Sequence, residues 1–196
     1  TLNQGILREL KKIPHDQLKN HSLRYIRVSS GFLPKDLQRG LESVLGVPVI
    51  DSYGMSETGL IAINLPPRRG SVGIPQSDSL AIIDENGIPL GPDSVGEIAV
   101  KDSILFNGYE SGPAEKESVF INGWFRTGDL GYLDDEGYLF ITGRKKEMIN
   151  KGGEKISPVE IDTVLCSHPA VRDAMAFTVY DPALGEDVDL EPVFQQ

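Results

Sequence analysis

The segment Asp51-Ser52-Tyr53-Gly54-Met55-Ser56-Glu57-Thr58-Gly59 gathers an aromatic ring, a glycine, hydroxyls and a carboxylate within a few residues. A ring can stack a planar base, a glycine lets the backbone come close, a hydroxyl can donate to a phosphate, and a carboxylate can hold a hard cation. The plainer alternative is a polar turn that caps a following helix through Ser56 or Thr58. Further along, Trp124-Phe125-Arg126-Thr127-Gly128-Asp129 puts a carboxylate on what reads as a glycine-flanked turn. Two acceptor oxygens could take both vicinal hydroxyls of a ribose, or the aspartate could bond its own backbone. Arg144, after Gly143 at a strand end, could donate to the same sugar or to a phosphate through its planar fork, or form a surface ion pair. A base stacker, a cation ligand, a ribose acceptor and an arginine on separate loops together point to a nucleotide site.

Other chemistries have less support. His15, His21 and His168 lack metal spacing, and neither a Gly-x-Ser-x-Gly elbow nor a glycine-rich phosphate loop is present. The single cysteine, Cys166, leaves no internal disulfide and no thiolate cluster, and reads as a small buried apolar residue on a helix. With 39% hydrophobic and 24% charged residues the chain has an ordinary globular composition, and no stretch approaches the roughly 18 apolar residues of a spanning helix. With no signal-peptide pattern at the N-terminus either, a cytoplasmic location is the expectation. A net charge of −10 disfavours nucleic acid. Against it stands one cationic island: Arg144, Lys145, Lys146, Lys151 and Lys155, with only Glu147 and Glu154 among them.

The elements that must position these groups are legible from spacing. Leu2, Ile6, Leu7, Leu10 and Ile13 predict an amphipathic helix that Pro14 ends. A strand at Arg24 to Val28 leads through Ser29-Ser30-Gly31-Phe32 to a helix with Pro34 at its first position and Gly46 as its stop, then to a strand at Pro48 to Ile50. That is a βαβ unit, whose loops at the strand carboxyl ends are the expected ligand side. From Leu65 the texture becomes Pro and Gly punctuation with short strands at Leu80 to Ile83, Gly96 to Val100, Tyr132 to Leu133 and Tyr138 to Thr142, predicting a small sheet or barrel. Ser157 and Glu160 form a capping box with Pro158 at the first helical position, opening a helix that buries Ile161, Val164 and Leu165. A strand at Val171 to Val179 follows.

The stretches Tyr53-Gly54-Met55-Ser56-Glu57, Gly123 to Asp129, Gly143-Arg144-Lys145-Lys146-Glu147 and Gly152-Gly153-Glu154-Lys155-Ile156-Ser157-Pro158-Val159-Glu160 resemble, in order and spacing, the adenylate-forming superfamily of acyl-CoA synthetases and adenylation domains. The wording of the last stretch is similar to the oxalyl-CoA synthetase branch. The resemblance implies a mixed α/β fold: the last α/β part of a large AMP-binding domain at 1–65, a β-rich subdomain of distorted barrel or sheet form at 66–143, and a hinge with the start of a small α+β domain at 144–196. It implies ATP or AMP, Mg²⁺ and coenzyme A, with a carboxylic acid as substrate and CoA or a phosphopantetheinyl carrier protein as thiol acceptor.

Residue by residue, the resemblance has Ser29, Ser30 and Gly31 flank adenine with Tyr53, in a nucleotide segment that includes Asp51, Ser52 and Gly54. It has Ser56 contact the α-phosphate and Glu57 bind Mg²⁺. Asp129 would hold the ribose with help from Arg144, Lys146 would be the hinge, and Gly152 and Gly153 would border the pantetheine tunnel. The family's phosphate loop and C-terminal lysine have no counterpart within these 196 residues, Ser30 and Phe32 depart from the usual loop, and Asp189 to Gln196 replaces an apolar strand. The expectation is a fragment that does not complete adenylation alone. The other readings are a non-catalytic nucleotide-binding or docking module of the same fold and an adenylation domain serving a carrier protein.

Overall fold

The computed structural model describes residues 2–10, 12–14, 18, 21–29, 33–76, 79–101, 105, 119–168 and 170–194. They fall into two compact units. The first takes the described residues of Thr1–Leu80, Lys101–Gly108 and Leu133–Phe140; the second takes those of Ala81–Val100, Tyr109–Tyr132 and Ile141–Gln196. No described helix is long and apolar enough to cross a membrane.

In the first unit α1 (Leu2–Leu10) is the expected amphipathic helix, but it stops at Leu10, so Ile13 and Pro14 lie beyond it. Strand β1 (Ile26–Val28), helix α2 (Lys35–Leu45) and strand β2 (Val49–Met55) make the expected βαβ unit, since β1 and β2 pair in parallel with Ile26 opposite Val49 and Val28 opposite Asp51. Pro34 caps α2 instead of starting it, because its ψ of 138° is extended. Gly46 ends the helix in the left-handed region at φ 67°, its N–H returning to Glu42 O at 2.8 Å. Leu37, Leu41, Val28, Leu33 and Val49 form the core here, with Leu7, Leu10 and Ile26 packed against it. Each aliphatic side chain buried in this way contributes about 1.5–3 kcal/mol relative to exposure.

Two expectations change at β2. The strand does not stop at Ile50 but runs through Met55, turns at residues 56–58 and returns as β3 (Gly59–Ile63), with β4 (Ile74–Pro75) beyond it in the order β1-β2-β3-β4. The segment expected as a loop is therefore one arm of a hairpin, and no helix follows for Ser56 or Thr58 to cap. The reason is tertiary: Leu60-Ile61-Ala62-Ile63 supplies a partner strand, and Gly54 lets the two arms close, since a Cβ there would sit 2.3 Å from Gly59 O. Below β3, buried Asn64 holds the Arg68 N–H and carbonyl and the Ser71 carbonyl, while Ser71 Oγ donates to Leu139 O at 2.7 Å. Arg68 pairs with Asp134 at 2.8 Å and Glu136 at 3.1 Å and lies over the Tyr138 ring.

A five-stranded sheet has most of its residues in the second unit. Strands β5 (Leu80–Ile83), β6 (Gly96–Val100), β7 (Phe120–Ile121), β8 (Trp124–Leu133) and β9 (Leu139–Arg144) are ordered β5-β6-β8-β7, with β9 also on β8. The expected turn at Gly128-Asp129 and short strand at Tyr132 are instead parts of the single ten-residue strand β8, interrupted by a bulge. A second sheet, β11-β10-β13-β12, follows from β10 (Ile149–Lys151), β11 (Glu154–Ile156), β12 (Val171–Asp181) and β13 (Gly185–Phe194). Although Asp189 to Phe194 is not the apolar run the resemblance implies, it pairs with β12 in register, Leu190 opposite Ala176.

Helix α3 (Pro158–Cys166) starts as expected, with Ser157 Oγ accepting from Glu160 N at 3.4 Å and Pro158 in the first turn. It buries none of its residues fully: Ile161 and Leu165 are half-buried and Val164 is 66% exposed, although the helix packs against β12. Cys166 is likewise half-buried rather than buried.

A very tight backbone approach occurs at Gly73, φ 107°, where a Cβ would lie 1.9 Å from the Ile63 carbonyl carbon. Gly73→Ala is expected to cost about 2–3 kcal/mol in urea unfolding. Gly91→Ala, with nothing within 4 Å of its Cβ, should be near neutral.

Candidate functional site

In the first unit the β2–β3 hairpin carries most of the residues singled out above. Asp51 is half-buried at the carboxyl end of the parallel pair, with one carboxylate oxygen accepting from Ser52 N at 2.8 Å. Burial pushes its carboxyl up to about 7, and the Ser52 N–H opposes this only in part. Ser52 is 4% exposed and its hydroxyl serves the fold, donating to Val28 O and accepting from Arg27 Nε, both at 3.0 Å. Tyr53 is buried, Ser56 is exposed and Glu57 half-buried on the turn, and Gly54 closes against β3. Ser29 is exposed at the end of β1; Ser30, Gly31 and Phe32 lie outside the described residues.

In the second unit the bulge in β8 decides the geometry. The β6–β8 ladder pairs Glu97 with Leu130 and Ala99 with Arg126, so Thr127, Gly128 and Asp129 stand opposite Ile98 alone. Three residues facing one must bow out of the strand, and Gly128 takes the required positive φ, 78°. Thr127 Oγ1 secures the bow by donating to Ile98 O at 2.8 Å and accepting from Asp129 N at 3.1 Å. Asp129 is 4% exposed, and Arg144 Nε reaches its Oδ1 at 3.0 Å from the end of β9. The next residue, Lys145, donates its backbone N–H to Gly128 O at 2.8 Å, which fastens the turn at residues 145–147 to the bulge. Lys146 is exposed on that turn.

The cationic island is thus largely paired: Arg144 with Asp129, Lys145 with Glu97 at 3.1 Å and Lys151 with Asp187 at 2.5 Å. Gly152 and Gly153 form the β10–β11 turn with φ of 59° and 97°. That turn is tied at its base by Asn150 N to Glu186 Oε2 (2.6 Å), Gly152 N to Leu184 O (3.2 Å) and Gly153 N to Asn150 Oδ1 (3.2 Å).

Of the residues chosen from sequence, Asp129 and Arg144 are brought into contact, while Asp51, Ser52, Tyr53, Gly54, Ser56 and Glu57 share one hairpin of the other unit. Sequence reading missed Glu97, a buried carboxylate in the run Gly96-Glu97-Ile98-Ala99-Val100. A charge inside an otherwise apolar strand was the available signal.

The family model for the AMP-binding enzyme matches residues 2–110. The chain belongs to the AMP-binding enzyme family. Among its relatives, a probable CoA ligase of Humulus lupulus is 43% identical over 85% of this chain and 33% of its own length. An oxalate–CoA ligase of Arabidopsis thaliana is 40% identical over 96% of this chain and 38% of its own length, in keeping with the oxalyl-CoA wording noted above. The fold matches o-succinylbenzoate CoA synthetase of Bacillus subtilis in complex with its acyl-adenylate intermediate. The TM-score is 0.81 and the identity 33%, over 98% of this chain and 40% of that one. The same enzyme is known with ATP and magnesium ion. The chain thus spans a little over a third of the length of these relatives.

Asp51 gives a pH signature. Between its ordinary value of 3.8 and about 7 the folded chain holds a proton that the unfolded chain has released, so stability falls as pH rises through that window. Asp51→Asn should flatten this. Urea unfolding of both proteins at pH 4.5 and 7.5 should differ in pH dependence by about 1–2 kcal/mol, allowing for partial exposure.

Proposed function

We propose that these residues carry the nucleotide-gripping and pivoting share of an AMP-forming acid–thiol ligation. In that reaction a substrate carboxylate oxygen bonds to the α-phosphorus of ATP and the bond to pyrophosphate breaks. A CoA or carrier thiol then attacks the acyl carbon and AMP leaves. The observation that carries this reading is the Asp129–Arg144 pair, a buried carboxylate presented on a strand bulge and held by a guanidinium 3.0 Å away. Such a pair suits a ribose: the carboxylate accepts from the two hydroxyls, and the arginine orients it.

Tyr53 on the β2–β3 hairpin is one neighbour of the adenine, Asp51, Ser52 and Gly54 belong to the same nucleotide segment, and the segment Ser29 to Gly31 is the other neighbour that the resemblance implies. Ser56 donates to the α-phosphate. Glu57 offers one carboxylate, which fits a magnesium ion that takes its remaining ligands from phosphate and water. Bound there, Mg²⁺ would supply charge neutralisation on the phosphate oxygens. Lys146, exposed on the turn directly after the sugar grip, is the pivot, and the tied Gly152–Gly153 turn borders the thiol. The relatives' substrates differ, and the acid is left as a carboxylic acid.

Calorimetric titration of the chain with AMP, 2′,3′-dideoxy-AMP and a non-hydrolysable acyl-adenylate mimic tests the reading. The mimic should bind most tightly and the dideoxy nucleotide weakest. Asp129→Asn should weaken AMP about ten- to a hundredfold while hardly moving the dideoxy form. Equal binding of AMP and its dideoxy form would count against the ribose assignment. AMP bound as tightly as the mimic would favour a plain nucleotide-binding module.

A further inference from the structure

Glu97 has no place in the reaction as described, yet it is 6% exposed in a strand whose next residue, Ile98, is fully buried. A carboxylate is not kept in such a position unless it is paired. Its Oε2 accepts from Arg126 Nε at 3.0 Å, Arg126 Nη2 at 2.7 Å and Lys145 Nζ at 3.1 Å, so three donors from two residues meet one oxygen. Both partners border the nucleotide grip. Arg126 is the last ladder residue before the Thr127–Asp129 bow, and Lys145 directly follows Arg144.

The placement of Glu97 is specific. Its backbone pairs with Leu130, on the far side of the bow, while its side chain reaches back to Arg126 on the near side. It therefore spans the bulge. Lys145 is held twice, by its side chain to Glu97 and by its backbone to Gly128 O. The backbone bond alone leaves the turn free to swing about it, and a second attachment removes that freedom. The pairing also holds the Glu97 carboxyl below the usual carboxylate range despite burial, so the anion persists at neutral pH.

We propose that Glu97 is a positioning residue: by gathering Arg126 and Lys145 onto one buried oxygen it locks the Thr127–Asp129 bulge to the turn after Arg144, so that Asp129 and Arg144 meet a ribose as a preset pair. The proposal rests on the reading of Asp129 given above. It has a corollary for the pivot. Lys145 moves with the bulge, so chain rotation begins at Lys146 and not before it.

The test uses the full chain and the variants Glu97→Gln, Lys145→Met and Lys145→Arg. Hydrogen exchange is read at the Asp129 and Lys145 amides, with the β12–β13 amides as a folding reference, together with the ratio of AMP to 2′,3′-dideoxy-AMP affinity. Glu97→Gln should speed exchange at both amides about tenfold, leave β12–β13 unchanged, and cut the affinity ratio about tenfold. Lys145→Arg should preserve both readouts. Unchanged exchange at these amides, or faster exchange with the ratio intact, overturns the proposal. If Glu97→Gln also loosens β12–β13, Lys145→Met decides on the same two criteria, because that side chain is 38% exposed and its loss leaves the core intact. A wild-type chain with no preference for the diol would sink the ribose reading. The clasp would then stand or fall on amide exchange alone.

Discussion

A strand that sets three residues against one of its neighbour's cannot lie flat, and in β8 that mismatch governs what surrounds it. The bow at Thr127 to Asp129 needs a residue that tolerates a positive φ, which is why Gly128 is there. Bowing lifts a carboxylate out of the ladder and leaves the Gly128 carbonyl free of β6, to be taken by Lys145 N. The turn after β9 is thereby placed by β8. Arg144 faces Asp129 because the next residue is anchored to the bulge.

Charge follows the same geometry. On a chain of net charge −10 the basic residues near the bulge are placed against individual carboxylates, and the acidic partners are the more buried members: Glu97 and Asp129 are each 6% exposed at the side chain, against 25% to 62% for Arg126, Lys145 and Arg144. Exposed pairs of this kind contribute little to stability, whereas removing one partner of a buried carboxylate is costly. The pairs therefore specify position more than they add stability. Asp51 shows the opposite case, a carboxyl that among the described residues has the Ser52 N–H as its donor and no paired cation, and burial raises its proton affinity.

Features whose causes are local were legible in the sequence. The βαβ unit, the Gly46 stop and the Ser157 cap each follow from a few neighbouring residues, and the structure has all three. What escaped was set by partners far along the chain. Asp51 to Met55 has weak strand propensity and reads as a loop, yet β3 makes it a strand. Gly128-Asp129 has the residues of a turn, and only the register of β6 reveals a bulge. Val164 fits the apolar face of a helix, but nothing among the described residues covers it. Glu97 lies in a run read only as a short strand, and its burial depends on an arginine 29 positions later and a lysine 48 positions later. Asp129 and Arg144 were chosen for their chemistry, and their contact was visible only in three dimensions.

The Gly152–Gly153 turn has two residues with unusual freedom in the unfolded chain, and glycine loses more conformational entropy on folding than any other residue. Here that loss is taken early, because Glu186, Leu184 and Asn150 tie the base of the turn before anything meets its tip. Whatever approaches the tip encounters a surface already ordered. The entropy of shaping that surface has been charged to folding rather than to association.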